Sequence, residues 1–444
     1  MPKALSSCWH LKQFGSCGRN GLRGPHTLGL PSSDFSNSAA GQITTPAGDP
    51  RVMQFVVLLS GRRNGVCFKS VAANTTPDVL QIHLTLRSPP LKTKVTALLC
   101  VQFLALQNLG AWGFRGHTLA NLAAVERIPQ DGPVFLKPQK AYIGHLGIIP
   151  DTWRSVSEPF LRISEDANHS WYTEGFDFIP EPPRSRTEFI LRVYDEYLRV
   201  SKSDPDRAKL LNIRYTGLEA YSIMEGYERM KAGMRLYRRV SDPDPHQSWN
   251  MAKLYAGISP VFQDAAQVKQ MLLNDIAFYM GWTGHYAADA AMPLHDSIHH
   301  DGWSGDNPRG YTRDPHIHDR FESEYVDLIA TSESDVLKYV PKDPRFLDDP
   351  WQATLQHSLD ARNFVEDVYR VDLRGGFKNK EDREARELVY KRIGAGAAFL
   401  RDLAYTAWIE SAKPVPPVKS IDDPENPDNP LYNPATGSAP APPH

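Results

Sequence analysis

The chain has 444 residues, with 50 Lys and Arg against 52 Asp and Glu. This even charge balance excludes a strongly basic protein that binds duplex nucleic acid nonspecifically. The length suits two or three average domains, or one large helical domain with tails. All the cysteines lie in the first quarter of the chain, which excludes disulfides and thiolate metal ligands from residues 112–412; they are Cys8, Cys17, Cys67 and Cys100.

The first part of the chain has the composition of an extension followed by a signal. Residues 1–90 are rich in Gly, Ser, Pro and Arg without helical or strand periodicity, so we expect a low-complexity segment with little fixed structure. An apolar run at 95–106 follows two lysines, and it is too short for a membrane-spanning helix. We therefore expect a signal peptide at 91–111, cleaved near Ala111, rather than a membrane anchor. The protein would be secreted or periplasmic, and residues 1–90 would not be translated in the working protein.

Residues 112–412 show helical periodicity and little strand alternation. They are predicted to form one large all-α domain with many helices. Helical patterns cover residues 117–126, 186–203, 206–240, 248–258, 262–290, 317–331, 353–369 and 385–407. After residue 412 the composition turns to Pro, Asp and Asn, so we expect 413–444 to be a disordered tail.

Two pairs of residues with helical spacing indicate a metal site. His285 and Asp289 are four apart and share one face of a predicted helix, which a proline would end just before His295. His318 and Glu322 repeat the spacing beyond a polar loop. A single pair of this kind is more often a surface pair or a helix cap, but five such groups beside apolar neighbours favour an inward-facing site. Imidazole and carboxylate ligands without thiolate indicate zinc.

Further toward the N-terminus, other residues complete a family pattern; they are Trp112, His117, Asp151 and His169. The pattern resembles the superfamily that joins zinc-dependent phospholipase C with the fungal single-strand nucleases S-one and P-one, and is closest to bacterial secreted members. The resemblance covers residues 112–412. It is most specific in the run from His285 to His295 and in the Trp112-to-His117 separation. It implies a nearly all-helical domain that holds three zinc ions in one cleft.

The resemblance also implies a role for each of these residues. The first zinc would be held by Asp151, His169, His285 and Asp289. The second would be held by the free amine and carbonyl oxygen of Trp112, with His117 and a bridging Asp289. The third would be held by His295, His318 and Glu322. Arg154 would stabilise charge on the phosphate, and Asp151 is also the nearest candidate base, although we expect it mainly to orient. Because an amide nitrogen cannot bind zinc, the second site would require removal of residues 1–111.

These roles imply a hydrolase that cleaves phosphate esters with water activated by zinc. Arg154 and the Trp112-to-His117 separation favour a single-strand nuclease that releases 5′-phosphorylated products. Glu322, where nucleases more often carry Asp, and the altered segment after His169 favour the alternative of a phospholipase C that cleaves headgroups. A second alternative is a non-catalytic binding module that zinc merely stabilises. We expect a monomer that acts on single-stranded nucleic acid or phospholipid, with no protein partner.

Several other residues carry weaker predictions. A Gly-rich loop is expected to be a solvated rim, with one residue able to reach substrate; its candidates are His299, His300, Asp301 and Asp306. A set of aromatic residues could stack on bases or line a headgroup site, but such residues are more often core; they are Trp153, Trp171, Tyr172 and Trp303. His145 is expected on a helix surface or behind a ligand.

Overall fold

The computed structural model describes the strands at 73–76 and 79–82 together with residues 112–241, 264–415 and 420–440. The chain divides into two units, Met1–Ala97 and Leu98–His444. The described part of the first unit is an antiparallel hairpin of β1 (Ala73–Thr76) and β2 (Val79–Ile82). It lies in the extension for which the sequence predicts little fixed structure.

The described residues of the second unit form helices and no strand longer than an isolated bridge, as expected for an all-α domain. The α-helices are α1 (Gly113–Glu126), α2 (Lys140–Leu146), α3 (Ile149–Thr152), α4 (Pro159–Glu165), α5 (Arg186–Val200), α6 (Pro205–Leu210), α7 (Ile213–Thr216), α8 (Glu219–Ser241), α9 (Ala265–Asp289), α10 (Ile317–Asp319), α11 (Tyr325–Leu328), α12 (Glu333–Val336), α13 (Pro350–Arg362), α14 (Val365–Leu373) and α15 (Arg383–Glu410). Short 3₁₀ helices occur at Val134–Gln139, Asp166–His169, Thr173–Phe176, Pro293–Asp296, Leu337–Tyr339 and Gly376–Lys378. A π-helical segment, Arg320–Glu324, joins α10 to α11.

Helix α9 is the centre of this unit and packs against α1, α2, α8 and α15. Its last three turns are buried on nearly every side, so this part of the helix is a core element rather than an amphipathic surface helix. Gly284 permits the close packing, because a Cβ atom there would lie 2.0 Å from Asn121 Oδ1 and 2.6 Å from a methyl group of Leu400. The end of α9 is therefore enclosed by α1 and α15.

A buried amide fixes the helices around this end of α9. Asn121 of α1 donates from Nδ2 to the carbonyl oxygens of Ile143 in α2 and Gly281 in α9, each at 2.9 Å. Hydrogen bonds that join three helices in the interior specify their relative positions, because breaking one leaves a buried polar group unpaired.

Most predicted helices are present with shifted ends, but some are divided. The predicted helix 206–240 is divided into α6, α7 and α8, and Gly217, which has φ of 82°, lies between α7 and α8. A Cβ atom at this residue would lie 1.8 Å from the carbonyl oxygen of Ser170, so only glycine allows that approach. Similarly, the predicted helix 353–369 is divided into α13 and α14. The predicted helix 248–258 and the signal segment 91–111 lie outside the described residues.

The tail was expected to be disordered, but residues 420–440 form a series of hydrogen-bonded turns. Asn433 pairs with Ser438 in an isolated bridge, and the amide of Ala439 donates to the carbonyl of Pro424 at 2.7 Å. Asn and Asp side chains accept from nearby amides in several of these turns, which is the usual behaviour of these residue types. Among the described residues, no helix is long and apolar enough to cross a membrane.

Candidate metal centre

Four residues from three segments converge at the end of α9. His285 and Asp289 come from its last two turns, Asp151 from α3, and His169 from the 3₁₀ helix that follows α4. His285 Nε2 lies 2.9 Å from His169 Nδ1, and each of these atoms lies 3.1 Å from Asp289 Oδ2. Asp151 Oδ1 lies 3.8 Å from both nitrogens. All four side chains are buried.

The separations among these four atoms match the requirements of one metal ion. A tetrahedral ion with nitrogen and oxygen ligands at about 2.0–2.1 Å separates the ligand atoms by about 3.3–3.4 Å. The distances given above run from 2.9 to 3.8 Å, on both sides of that value. Both oxygens of Asp151 are buried without a hydrogen-bond partner. Since buried polar atoms are rarely left unpaired, this geometry is suited to holding a cation.

The hydrogen bond on the far side of His285 prepares its ring for such a role. Nδ1 donates to the carbonyl oxygen of Gly147 at 2.7 Å, which leaves Nε2 as the atom that faces Asp289 and Asp151. Metal-binding histidines are commonly oriented in this way by a backbone carbonyl. Burial acts to lower the pKa of His285, but the charges of Asp289 and Asp151 prevail and raise it to about 9. The site therefore has a negative potential that favours a cation.

Asp289 connects this group to a second one. Its Oδ2 faces His285 and His169, whereas its Oδ1 lies 3.3 Å from His117 Nε2 and 3.4 Å from His295 Nδ1. Asp151 is arranged in the same way, with Oδ2 at 4.0 Å from His117 Nε2. Neither ring nitrogen of His117 has a hydrogen-bond partner, although the side chain is completely buried.

Trp112 lies beside this second group in an unusual conformation. It precedes α1 with φ of 37°, in the left-handed region that non-glycine residues rarely adopt. Its backbone nitrogen donates to Glu322 Oε2 at 2.8 Å, and its indole donates to the carbonyl of Ala288 at 2.7 Å. The Trp112 carbonyl accepts from Gly116 in the first turn of the helix. The Trp112 nitrogen was expected to share an ion with His117 and Asp289. Its hydrogen bond is instead to Glu322, which was expected to bind the third ion.

A third group lies on the other side of Asp289. His295 comes from the 3₁₀ helix Pro293–Asp296, His318 from α10 and Glu322 from the π-helical segment. His318 Nε2 lies 3.1 Å from His295 Nε2 and 2.8 Å from Glu322 Oε2, and the third separation is 3.6 Å. Burial raises the pKa of Glu322 and lowers that of His318 to about 4. Three potential ligand atoms therefore face one point, and a π-helical bulge carries one of them, as is frequent at functional sites.

His300 was expected on a solvated rim, but the structure places it beside the third group. Its Nδ1 atom lies 3.1 Å from His318 Nδ1 and 2.7 Å from Asp301 Oδ1. His295, His300 and His318 together form one of the sets close enough to hold a metal ion. The loop sequence does not distinguish the role of His300 from that of its neighbour His299. The His299 ring stacks on Trp303, with ring centroids 3.9 Å apart.

Glu219 is a member of the cluster that sequence reasoning missed. It begins α8, is fully buried, and has no hydrogen-bond partner on either carboxyl oxygen. Together with Asp289 and His295 it forms a further set close enough to hold a metal ion. Burial raises its pKa, and the charges of Asp296 and Asp289 raise it further. An acidic residue at a helix N-terminus is ordinary in sequence, so no local signal distinguishes it.

Arg154 occupies the edge of the first group. Its Nη1 lies 3.5 Å from Asp151 Oδ1, and its Nε donates to Asp166 Oδ1 at 3.3 Å. The side chain of Arg154 as a whole is 29% exposed. Of the aromatic candidates, Trp171 belongs to a separate buried cluster with Phe189 and Tyr221 and is core rather than a stacking surface.

The expected site residues form one continuous cluster, in which each lies within 4.0 Å of another. They are Trp112, His117, Asp151, His169, His285, Asp289, His295, His318 and Glu322. The histidine and aspartate groups within it are close enough to hold a metal ion. Comparison with known proteins finds no matching family model, no similar curated protein and no similar solved structure.

Proposed function

We propose that the protein is a zinc-dependent phosphoesterase of the kind that the nuclease and phospholipase C resemblance implies, and that it is exported. The observation that carries this proposal is the convergence of four buried side chains whose potential ligand atoms lie 2.9–3.8 Å apart in the pairs given above. Those atoms belong to Asp151, His169, His285 and Asp289. Although Arg154 lies at ion-pair distance, both buried oxygens of Asp151 lack a hydrogen-bond partner, which a purely structural carboxylate would be expected to have.

Zinc is the metal that suits this set of side chains best. The groups are imidazoles and carboxylates, all four cysteines lie outside residues 112–444, and compact clusters of this kind are typical of zinc. The three groups around Asp289 are consistent with three ions. Bound zinc would supply a strongly electrophilic centre that makes water a nucleophile near neutral pH.

The side chains have separable roles in this proposal. Asp289 and Asp151 each direct one oxygen to the His285 group and the other toward His117, so either can bridge neighbouring ions. Arg154, held at 3.5 Å from Asp151, would bind a non-bridging phosphate oxygen and stabilise the charge that develops on it. Burial of the whole cluster strengthens these electrostatic contacts relative to water.

Among phosphate esters, we propose that single-stranded nucleic acid is the substrate. Arg154 supports this reading, because it has the Asp-x-x-Arg spacing of the nucleases and lies beside the first group. Phospholipase C activity is the competing candidate, because exposed apolar residues Phe160 and Ile163 stand on α4 beside the site.

One experiment tests both the metal and the reaction. Purified protein is analysed for bound zinc and then incubated with denatured DNA, with RNA and with phosphatidylcholine emulsions. The proposal predicts about three zinc ions per chain and release of 5′-phosphorylated fragments, abolished by a chelator and restored by zinc. Release of phosphocholine alone would assign the site to phospholipid. Zinc that is needed for folding but supports no hydrolysis would assign a binding module.

A further inference from the structure

Three arginines converge on a single carboxylate at the edge of the candidate metal centre. Asp166 accepts from Arg154 on Oδ1, and its Oδ2 lies 3.6 Å from Arg162 Nε and 3.5 Å from Arg214 Nη2. The arginines come from the turn after α3, from α4 and from α7, so the fold brings Arg214 to residues that are distant from it in sequence. We define Arg154, Arg162, Arg214 and Asp166 as the arginine cluster.

The arginine cluster carries an excess of positive charge. Within the described residues, Asp166 is the only acidic partner within ion-pair distance of Arg162 or Arg214. Their contacts with it are longer than the usual hydrogen bond of about 2.7–3.2 Å. Each guanidinium has five N–H donors in a fixed fork, so most of these donors remain available. The side chains of Arg162 and Arg214 are 37% and 69% exposed, whereas that of Asp166 is 12% exposed.

This charge continues directly from the candidate metal centre. Arg154 contacts both Asp151, which belongs to the first metal-binding group, and Asp166. One arginine therefore faces the metal groups, and the other two lie on the far side of Asp166. A phosphate bound by Arg154 would therefore have a second anion site next to it, because Arg162 and Arg214 contact the same carboxylate, Asp166, from its other oxygen.

Exposed aromatic residues occur close in sequence to the two outer arginines. Phe160 stands two residues before Arg162 and is 90% exposed, and Tyr215 follows Arg214 and is 51% exposed. Proteins that bind single strands combine basic side chains on the backbone with aromatic rings on which bases stack.

We propose that Arg162 and Arg214 form a subsite for a second phosphate of a single-stranded nucleic acid whose scissile phosphate lies at Arg154. The inference rests on the proposed function and specifies its substrate as a strand with at least two consecutive phosphodiesters. A phosphatidylcholine molecule offers one phosphodiester, which Arg154 and the metal groups would engage, and it gives the outer arginines no second anion. The cluster therefore favours a polyanionic strand over a lipid headgroup.

Substrate length is the first test. Protein that begins at Trp112 is loaded with zinc, and Arg162→Gln, Arg214→Gln and the double variant are compared with wild type. The substrates are a thymidine decamer and a thymidine dinucleotide with a single phosphodiester. Each substitution should lower kcat/KM on the decamer about tenfold, as expected for loss of one charged phosphate contact, and change the value on the dinucleotide less than about twofold. Equal losses on both substrates, or none on the decamer, would overturn the subsite.

Binding gives a second readout that does not depend on catalysis. The affinity of a labelled decamer for the same protein without zinc, with its fold verified by circular dichroism, is measured against salt concentration. The slope of log affinity against log salt should decrease by about 0.7 for each arginine removed. If wild type hydrolyses no phosphodiester but the slopes change as expected, the proposed function fails while the strand-binding surface stands. If the slopes of the variants equal that of wild type, the subsite is contradicted even when the protein is an active nuclease.

Two controls separate these outcomes from general effects. Arg192→Gln removes an exposed arginine of α5 that pairs with Glu188, so it should change neither length dependence nor slope. Arg214→Lys keeps the charge and should recover most of the slope but less of the kcat/KM, because lysine lacks the forked donor geometry.

The last experiment measures binding of the same variants to vesicles of phosphatidylcholine and phosphatidylglycerol. Variants that lose vesicle binding but keep decamer binding would assign the surface to a membrane and overturn the proposal.

Discussion

Asp289 Oδ2 lies 3.1 Å from His285 Nε2, one helical turn away on α9, while its Oδ1 faces His117 at 3.3 Å. A single carboxylate thus contacts two separate groups of potential ligands from the buried end of the central helix. Burial by itself acts to raise the pKa of Asp289, but the positive charge available on His285, His295 and His117 lowers it well below its ordinary value. The carboxylate is therefore held ionised although it is fully buried, as a metal ligand would have to be.

Replacement of Asp289 should have the largest effect on metal content. In Asp289→Ala the two groups that share this carboxylate lose a common ligand, so about two of three zinc ions should be lost. Activity should fall by at least about 100-fold. Metal analysis and nuclease assays measure both effects. The matched control is Asp275→Ala, which removes an exposed aspartate from the same helix and should retain the full metal content. Full activity with all metal retained in Asp289→Ala would refute the bridging role.

The sequence was sufficient for the parts of the site that are local in the chain. The spacing of His285 with Asp289 and of His318 with Glu322 follows from helical periodicity, and both pairs are in contact. In contrast, His300 and Glu219 are distinguished only by contacts across the fold, which neither periodicity nor composition encodes. The resemblance to a family supplied the assignment of the remaining residues, which spacing alone would not have connected.

The ends of the helices also depend on tertiary contacts that the local sequence does not reveal. The long predicted helix after residue 206 fails at Gly217, where the constraint is the carbonyl of Ser170 from a distant segment. The arginine cluster was only partly predictable, because Arg162 and Asp166 have helical spacing whereas Arg214 reaches Asp166 from the separate helix α7. Patterns along the chain predict that helices exist, and tertiary contacts decide where they stop.

Glu219 should be required for the third metal group although it has no place in the expected ligand set. Glu219→Gln keeps the size of the side chain but removes a carboxyl group that lies close to Asp289 and His295. We expect zinc affinity at one site to fall about 10- to 100-fold, as for other groups that support a ligand. Competition with a zinc-binding dye measures the affinity. Glu225→Gln, at a part-exposed position of the same helix, should leave it unchanged. Equal affinities in both variants would contradict a role for Glu219.

The N-terminal cap of α15 gives a prediction for stability against pH. Asp382 accepts from Arg374 Nη2 and from the Ala385 amide, both at 2.9 Å, and these contacts hold its pKa at about 2 despite burial that acts to raise it. Because the folded pKa is below the unfolded value of about 3.9, the stabilisation is complete above that value and is lost as pH falls through about 2.

Asp382→Asn should therefore lower the free energy of unfolding by about 1 kcal/mol at pH 7, and the difference from wild type should shrink between pH 4 and 2. Urea unfolding of zinc-depleted protein at several pH values measures it. Asp367→Asn removes an exposed partner of Arg370 and should have nearly no effect, because surface ion pairs contribute little. A difference that stays constant with pH would mean that the charge of Asp382 is not responsible.

The chemical state of the Trp112 nitrogen should decide how many zinc ions bind. The atom is buried in the cluster and donates to Glu322 Oε2 at 2.8 Å, so it is already placed among ligand groups. As an amide it cannot bind metal, whereas a free amine offers a lone pair. Protein that begins at Trp112 should therefore bind one more zinc ion than protein with a single extra alanine before it, and should be at least about tenfold more active. Native mass spectrometry counts the ions.

Trp112→Phe in the chain with the free amine is the control. It keeps the nitrogen and loses the indole hydrogen bond to Ala288, so it should retain the additional ion while losing stability. Equal zinc content with and without the extra alanine would show that the nitrogen only anchors Glu322.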